Sequence, residues 1–181
     1  GVLFMDEFPE FDKKVLESLR QPLEDRVVTI SRAKGSVRYP AHFILVATMN
    51  PCPCGNYNVK GKECVCSAPA IEKYRRKLSG PIMDRIDLWV EVSKVEYEKL
   101  TDSRDLHEGV DKIKPRVEKA RKLQEKRFSK LKIKTNAELS SKDLVITVSL
   151  SEKVKELLNE SAKKLDLSAR SYHRIIKLAR T

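Results

Sequence analysis

An α/β core followed by an all-helical part is the fold class that the sequence predicts. Two short runs, Val2–Met5 and residues 43–49, are continuously apolar, which is typical of parallel strands buried on both faces. From residue 112 onward, apolar residues recur every three or four positions, which is the period of an amphipathic helix. We therefore expect an α/β part over residues 1–93, a linker over 94–111 and a helical part over 112–181.

The elements expected in the first part alternate between strands and helices. Apolar spacings of three and four predict a helix after the first strand, and Gly35 predicts the bend of a hairpin. In chain order the predicted elements are a strand at Val2–Met5, a helix over 8–23, a hairpin with strands at 27–31 and 36–39, a strand over 43–49, a cysteine-bearing loop over 52–66, a helix over 71–78 and a strand over 88–92. The second part is expected to contain three helices, the last of them N-capped by Ser168.

The chain is strongly basic. Its 181 residues carry a formal net charge of +11, which favours polyanionic partners such as nucleic acid, although a lysine-rich solvated surface gives the same charge. No apolar run approaches the roughly 20 residues of a membrane span, and no signal peptide opens the chain. We expect a cytoplasmic protein with no membrane partner and, because a strand begins directly after Gly1, a piece of a longer one.

Two adjacent acids follow the first predicted strand. In parallel α/β sheets, ligands bind at the carboxyl ends of the strands, which is where Asp6 and Glu7 lie. The first carboxylate can hold Mg²⁺ beside the phosphates of a nucleotide and the second can orient the attacking water, as in the Walker B motif of a P-loop ATPase. The alternative is that these acids only cap the helix that follows.

Two further polar residues fit such a site. Asn50 ends the second apolar run, where it can hydrogen-bond the attacking water or the γ-phosphate, or else it opens a turn with Pro51. Arg85 precedes the third predicted strand, where it can stabilise transition-state charge on the γ-phosphate of a neighbouring subunit. The alternative for Arg85 is a surface ion pair with Asp84 or Asp87.

Four cysteines lie close together in the sequence. The pairs Cys52-x-Cys54 and Cys64-x-Cys66 offer four thiolates, the ligand set of a closed structural zinc site, although the usual spacing leaves roughly two to four residues between paired ligands. A polar loop without a core of its own gains most from a metal. Zinc is therefore favoured, while free thiols, disulfides and an iron–sulfur cluster stay open.

The order of these motifs resembles that of the magnesium-chelatase-like AAA+ proteins of bacteria and, within them, the ComM competence-protein family, also called YifB. The stretches that carry the resemblance are GVLFMDE, LVATMNPCPCG, LSGPIMDRIDL and LSARSYHRIIKLAR, so it covers essentially the whole chain. It implies a partial AAA+ P-loop ATPase core, with a pre-sensor-1 hairpin, followed by an all-helical lid. It also implies a hexameric ring that uses ATP and Mg²⁺ for DNA branch migration during the uptake of transforming DNA.

The resemblance implies roles for single residues. Asp6 and Glu7 match Walker B, and Asn50 matches sensor 1. Arg85 matches the arginine finger, which acts in trans, and Arg170 matches sensor 2 on the lid. By this resemblance Asp6, Asn50 and Arg170 contact the nucleotide.

Basic residues of the predicted hairpin are the expected DNA contact. Lys34, at the tip, matches a lysine that touches the DNA backbone in hexameric helicases, and Arg32 and Arg38 lie close to it in the sequence. Without the resemblance, an exposed turn lysine would be the favoured interpretation of Lys34.

One motif of the family is missing from the sequence. No G-x-x-x-x-G-K-[ST] occurs among the six glycines, so the loop that cradles the phosphates is absent. We therefore expect the chain to correspond to the C-terminal part of the ATPase, starting at Walker B, and to be inactive by itself.

Three functions are kept open. The first is the DNA-moving ATPase, the second is a chelatase-type ATPase that drives metal insertion into a porphyrin through a partner protein, and the third is a zinc-stapled nucleic-acid-binding module. The basic hairpin tip favours the first over the second. The spacing of Asp6, Glu7, Asn50, Arg85 and Arg170 favours the two ATPases over the third.

Overall fold

Strands and helices follow one another in a first compact unit, Gly1–Ile86, whereas the described residues of a second unit, Asp87–Thr181, contain helices. The computed structural model describes residues 1–92, 108–131 and 133–181. Most of the predicted linker over 94–111 lies outside the described residues.

The described elements have the following bounds. In the first unit they are β1 (Val2–Met5), a 3₁₀ turn (Phe8–Glu10), α1 (Lys13–Ser18), α2 (Arg20–Asp25), β2 (Val27–Arg32), β3 (Gly35–Pro40), β4 (Ile44–Ala47), α3 (Ala68–Arg75) and α4 (Gly80–Met83). In the second unit they are α5 (Val110–Arg127), a 3₁₀ turn (Asn136–Glu138), α6 (Ser141–Thr147), α7 (Glu152–Lys164) and α8 (Ala169–Ala179).

The two apolar runs form a small parallel sheet. β1 pairs with β4 in a register that sets Val2 opposite Ile44 and Met5 opposite Ala47. The pairing continues past the strands, because the Thr48 N–H donates to the Met5 carbonyl at 3.1 Å. A parallel sheet with helices, followed by a helical part, is the predicted fold class, which is thereby confirmed.

The apolar core of the first unit lies on one face of this sheet. Its buried members are Met5, Phe8, Leu16, Leu78 and Ile82. The opposite face of the sheet is open in the described part of the chain, where the β1 residues Val2 and Phe4 are 68% and 60% exposed. The prediction that these strands are buried on both faces is therefore wrong for the described residues, because the described helices pack against one face.

The single helix predicted over residues 8–23 is wrong as well. The structure has a 3₁₀ turn and two short helices, α1 and α2, that meet at Leu19. Asp12 caps α1 by accepting from the Lys14 N–H at 2.7 Å, which starts a new helix after the 3₁₀ turn. Pro22 has no N–H to donate to the Ser18 carbonyl, so the helical hydrogen bonding is interrupted there.

The predicted hairpin is confirmed. β2 and β3 pair antiparallel, with Arg32 opposite Gly35, so that Ala33 and Lys34 form a two-residue turn. Gly35 has a φ of +143°, which is a conformation that residues with a β-carbon rarely adopt.

Two other boundaries differ from the prediction. The expected strand over 88–92 pairs with no strand among the described residues, and its apolar side chains are exposed, with Leu88 at 64% and Val90 at 79%. The helix expected over 71–78 is α3, which begins three residues earlier, at Ala68. Ser67 caps it by accepting from the Ala70 N–H, and Pro69 is tolerated in the first turn, where backbone N–H groups have no partner within the helix.

The second unit has a core of its own. The buried side chains are Phe128, Leu139, Leu144, Val148 and Ile176. Ser168 caps α8 by accepting from the Ser171 N–H at 3.1 Å, as predicted. Next to this core Asn136 is buried at 1% exposure.

Candidate functional site

The acids that follow β1 lie directly beside the end of β4. The Thr48 hydroxyl donates to the Asp6 carboxylate, and the Glu7 N–H donates to the same hydroxyl oxygen at 3.0 Å. The Phe8 N–H donates to the Thr48 carbonyl at 2.8 Å. The carboxyl ends of the two strands therefore meet at one edge of the sheet, which we call the carboxylate edge (residues 6, 7, 48 and 50).

The backbone at this edge is in an uncommon conformation. Glu7 has a φ of +49° and a ψ of +46°, which is the left-handed region. A side chain with a β-carbon is unfavourable there by about 1–3 kcal/mol, and such residues concentrate at functional sites. The hydrogen bond from the Glu7 N–H to Thr48 is one of the contacts that hold this conformation.

A cleft of about 550 Å³ adjoins the carboxylate edge. Its lining residues come from the carboxylate edge, the cysteine loop, the 3₁₀ turn, the helix α3 and the turn that follows α3. They are Glu7, Glu10, Asn50, Pro53, Ala70, Lys73, Tyr74 and Lys77. The cleft therefore has one wall of carboxylate and amide groups and another wall that carries two lysines.

Tyr74 lies on α3 and lines the same cleft as Asn50. Its side chain is buried. Burial raises the pKa of Tyr74 above its ordinary value of 10.0, although the Asn50 backbone opposes this rise. The phenol is therefore neutral at physiological pH. Lys77 lies 5.4 Å from the centre of the Tyr74 ring and forms an ion pair with Glu10 at 2.7 Å.

Arg85 does not lie at the carboxylate edge of its own chain. Its guanidinium contacts the Glu24 carboxylate on α2 and donates to the Pro81 carbonyl at 2.5 Å. The side chain is 7% exposed. Arg85 therefore forms an intramolecular ion pair with Glu24, a residue that the alternative interpretation did not name, and its side chain is buried and not at the surface.

The four cysteines form a cluster. Cys52 Sγ lies 3.4 Å from Cys54 Sγ and 3.7 Å from Cys64 Sγ, and Cys54 Sγ lies 3.7 Å from Cys64 Sγ. All four sulfurs, including that of Cys66, lie within 4.8 Å of one another, and all four are free thiols. In a tetrahedral site with Zn–S bonds of about 2.3 Å the sulfurs are about 3.8 Å apart. The cluster therefore has the dimensions of a zinc site.

The electrostatics within this cluster differ between thiols. A hydrogen bond from the backbone of Asn56 lowers the pKa of Cys54 to about 6. A lowered pKa favours the thiolate of Cys54, which is the form that binds zinc.

The basic residues of the hairpin are exposed but do not share one face. Residues directly opposite each other in an antiparallel pair lie on the same face, and faces alternate along a strand. Arg32 therefore lies on the face that carries the exposed apolar side chains Ile30 and Val37, whereas Arg38 lies on the other face, opposite Thr29. Lys34 lies at the tip between the two strands.

Arg170 lies in the first turn of α8, directly after the cap formed by Ser168, and it is exposed. It belongs to the second compact unit, whereas the carboxylate edge belongs to the first.

Three residues of the site were missed by the sequence analysis. Thr48 contacts the predicted site residues Asp6 and Glu7, and Lys73 and Tyr74 line the same cleft as Asn50. A signal for Thr48 exists in the sequence, since it is a hydroxyl residue two positions before Asn50 at the end of an apolar run. Lys73 and Tyr74 have no comparable signal, because their place depends on how α3 packs.

In the described residues, no helix has both the length and the apolar character that crossing a membrane requires.

Comparisons with known proteins agree with this architecture. The family described as magnesium chelatase, subunit ChlI, matches residues 1–100, and the C-terminal family of the same subunit matches residues 107–181. The chain is 42% identical over all 181 residues to the competence protein ComM of Haemophilus influenzae, of which the match covers 34%. It is 38% identical over 181 residues to the uncharacterized protein YifB of Escherichia coli, covering 35% of that protein.

The chain thus spans about a third of the length of the curated relatives it matches. Its parallel sheet with helices and its helical second part are those of a partial AAA+ core followed by a helical lid. The chain belongs to the magnesium-chelatase-like AAA+ family, in the ComM/YifB group.

Proposed function

We propose that this chain supplies the catalytic carboxylate edge of a Mg²⁺-dependent ATPase. The observation that carries the proposal is the meeting of Asp6, Glu7 and Thr48 at the carboxyl ends of two parallel strands, beside a cleft that Glu7 and Asn50 line. Ligands of parallel α/β sheets bind at such ends. The left-handed conformation of Glu7 supports the same assignment.

Each residue of the edge has a distinct task in this proposal. Asp6, which the Thr48 hydroxyl orients, would hold Mg²⁺, because a carboxylate is the ligand that this hard cation prefers. Glu7 polarises the attacking water, and Asn50 hydrogen-bonds that water or the terminal phosphate. Mg²⁺, when bound, neutralises charge on the phosphates of ATP.

These 181 residues do not hydrolyse ATP by themselves in this proposal. Their sequence contains no Gly-x-x-x-x-Gly-Lys-Ser/Thr to cradle the phosphates, so the intact enzyme includes a P-loop from outside this sequence. The proposal concerns the intact protein throughout.

In this proposal two arginines complete the site, one from a neighbouring copy and one from the same copy. Arg85 would reach the γ-phosphate held by the next copy in a hexameric ring, and Arg170 on the lid would contact the nucleotide of its own copy. Arg85 now contacts Glu24, so assembly must exchange that carboxylate for a phosphate. The exchange replaces one anionic partner of the guanidinium by another.

DNA is the proposed substrate of the motor. The net charge of +11 and the exposed tip residues Arg32 and Lys34 suit a phosphate backbone, and Arg38 offers a further contact on the opposite face of the hairpin. One relative is named a competence protein, and we propose that this chain likewise serves competence, by DNA branch migration in the cytoplasm.

The four cysteines would hold one structural zinc ion. Their mutual distances of 3.4–3.7 Å, measured for three of the six sulfur pairs, support this assignment.

A chelatase-type ATPase is the second candidate, because the matching family is described by a magnesium chelatase subunit. Both candidates hydrolyse ATP, and they differ in whether DNA stimulates hydrolysis.

The test measures ATP turnover by the intact protein with and without duplex and single-stranded DNA, in parallel with Glu7→Gln. We expect DNA to stimulate turnover in the parent protein. Glu7→Gln should bind ATP with the parent affinity but lose at least about 100-fold in turnover, because an amide does not polarise water as a carboxylate does. Hydrolysis that no DNA stimulates would favour the chelatase, and full activity of Glu7→Gln would contradict the site.

A further inference from the structure

The cysteine loop joins the two walls of the cleft. Cys52 follows Asn50 by two residues on one wall, and Cys66 directly precedes Ser67, the N-cap of α3, on the other. The contact between Cys52 Sγ and Cys64 Sγ, at 3.7 Å, thus connects the end of β4 with the start of α3. The cluster sits where a single ion would fix both walls at once.

Contacts around the cluster connect the same two walls. The Tyr57 N–H donates to Cys52 Sγ at 3.3 Å, and the guanidinium of Arg75 on α3 lies 5.1 Å from the centre of the Tyr57 ring. On the cleft side, Tyr74 of α3 and Asn50 line the same cleft. Through Tyr57, the loop therefore contacts both Cys52, two residues after Asn50, and the helix α3.

The side chain of Asn50 also faces the loop. A β-carbon at Gly55 would lie 4.0 Å from Asn50 Oδ1. Gly55 itself has a φ of +75°, which is a conformation suited to glycine. The loop backbone at Gly55, between the two cysteine pairs, thus lies close to the side-chain amide of Asn50, which lines the cleft.

The loop has little apolar packing to hold it in this shape. Val65, between Cys64 and Cys66, is 82% exposed, and of the four cysteines only Cys52 is buried. Ordering a loop costs conformational entropy, which a metal bound by side chains from both ends offsets.

We infer that zinc held by Cys52, Cys54, Cys64 and Cys66 is a positioning element for Asn50. The ion fixes the end of β4 against α3, so Asn50 is held at the carboxylate edge. Loss of zinc therefore lowers ATP turnover while nucleotide binding is retained. This inference rests on the proposed role of Asn50 in hydrolysis, and it adds that the metal held by the four cysteines controls that role.

The experiment first measures zinc and order in the intact protein. We expect about one zinc per chain after purification without chelator. A chelator should remove it and raise hydrogen exchange in residues 50–57 and in the first turn of α3, with no change in α6 and α8. Adding zinc back should restore the protection. Absence of zinc, or exchange that the chelator does not alter, would overturn the inference whether or not the protein hydrolyses ATP.

The second arm is a double-mutant cycle between the metal and Asn50. Cys64→Ser combined with Cys66→Ser should lower turnover to within about twofold of Asn50→Ala, and combining all three changes should add less than about twofold, because the cysteines act through Asn50. The affinity for ATP should stay within about threefold of the parent value. Val65→Ser, an exposed change between the two cysteines, is the matched control and should leave zinc content and turnover unchanged.

The outcomes separate this inference from the proposed function. If the cysteine variant loses zinc and its effect multiplies with that of Asn50→Ala, the cluster stabilises the protein without positioning Asn50, and the inference is wrong. If Asn50→Ala hydrolyses ATP normally, the assigned role of Asn50 fails, and the inference fails with it, although the ATPase assignment survives.

Discussion

At the scale of single residues, Thr48 is the residue that connects the two acids of the site. Its hydroxyl contacts both the Asp6 carboxylate and the Glu7 backbone, so one side chain orients the proposed metal ligand and supports the left-handed conformation of its neighbour. Removing a partner of this kind typically lowers metal affinity or activity by about 10–100-fold.

Replacing Thr48 tests this orienting contact. Thr48→Val removes the hydroxyl at nearly constant volume, so the Mg²⁺ concentration that gives half-maximal ATP turnover should rise by about 10–100-fold. Thr48→Ser keeps the hydroxyl and is the control, with an expected value within about threefold of the parent. A valine variant with the parent Mg²⁺ dependence would show that Asp6 needs no such partner.

In the second unit, Asn136 is the residue whose side chain and backbone hold a hydrogen-bond network together. It is almost fully buried. Its backbone N–H donates to the Gln124 side chain at 2.8 Å. Its side-chain carbonyl oxygen accepts from Arg127 at 2.7 Å, and its side-chain NH₂ donates to the Thr181 hydroxyl at 3.0 Å. This network joins α5 to the C-terminal end of α8.

Asn136→Ala should lower the free energy of unfolding of the second unit by about 1–3 kcal/mol, because it leaves the partners of a buried amide unsatisfied. Hydrogen exchange of the amides in α5 and α8 measures this change. Asn159→Ala, at an exposed amide that accepts from the Tyr172 hydroxyl, should cost less than about 1 kcal/mol. Equal effects of the two changes would argue against the network.

Which site residues could be predicted depends on their distance along the chain from a recognisable pattern. Asp6, Glu7 and Asn50 directly follow apolar runs, so their place at strand ends was predictable from the sequence. The contacts of Asp6 and Glu7 with Thr48, and the place of Tyr74 beside Asn50 in the cleft, depend on strand register and on the packing of α3, which the pattern of apolar residues does not determine.

At the scale of elements, the hairpin is the clearest match between sequence and structure. Its turn residues and the glycine at positive φ are local features, which explains why they were predictable. The helix over 8–23 was not, because a capping residue and a proline override an apolar period that looks continuous. The strand over 88–92 was predicted from its apolar residues alone, but a strand also requires a partner to pair with.

The hairpin tip supplies a prediction for DNA binding by the intact protein. Lys34→Ala should weaken duplex binding and reduce the slope of log affinity against log salt by about 1, because one phosphate contact is lost. Lys153→Ala, at an exposed lysine of α7, should leave the slope unchanged. If both lysines change the slope equally, the hairpin makes no special contact and the net charge alone attracts the DNA.

At the scale of the whole molecule, the two units divide the proposed tasks. The first unit carries the carboxylate edge and Arg85, and the second carries Arg170 on α8. In the proposed ATPase, Arg85 acts on the site of a neighbouring copy, and in its own chain it contacts Glu24. Hydrolysis should therefore depend on assembly, which single-residue variants can reveal when they are mixed.

The most direct test of a shared, Asp6–Glu7-based ATPase site is the ATP turnover of mixed rings of the intact protein. Glu7→Gln and Arg85→Ala should each be inactive alone, the first for lack of a carboxylate to polarise water and the second for lack of the charge that stabilises the neighbour's transition state. In a mixed ring some interfaces pair an intact Glu7 with an intact Arg85, so turnover should reappear in proportion to their number. If co-assembly is demonstrated and turnover stays at the level of the single variants, Arg85 does not act on the neighbouring site, and the proposed active site is wrong.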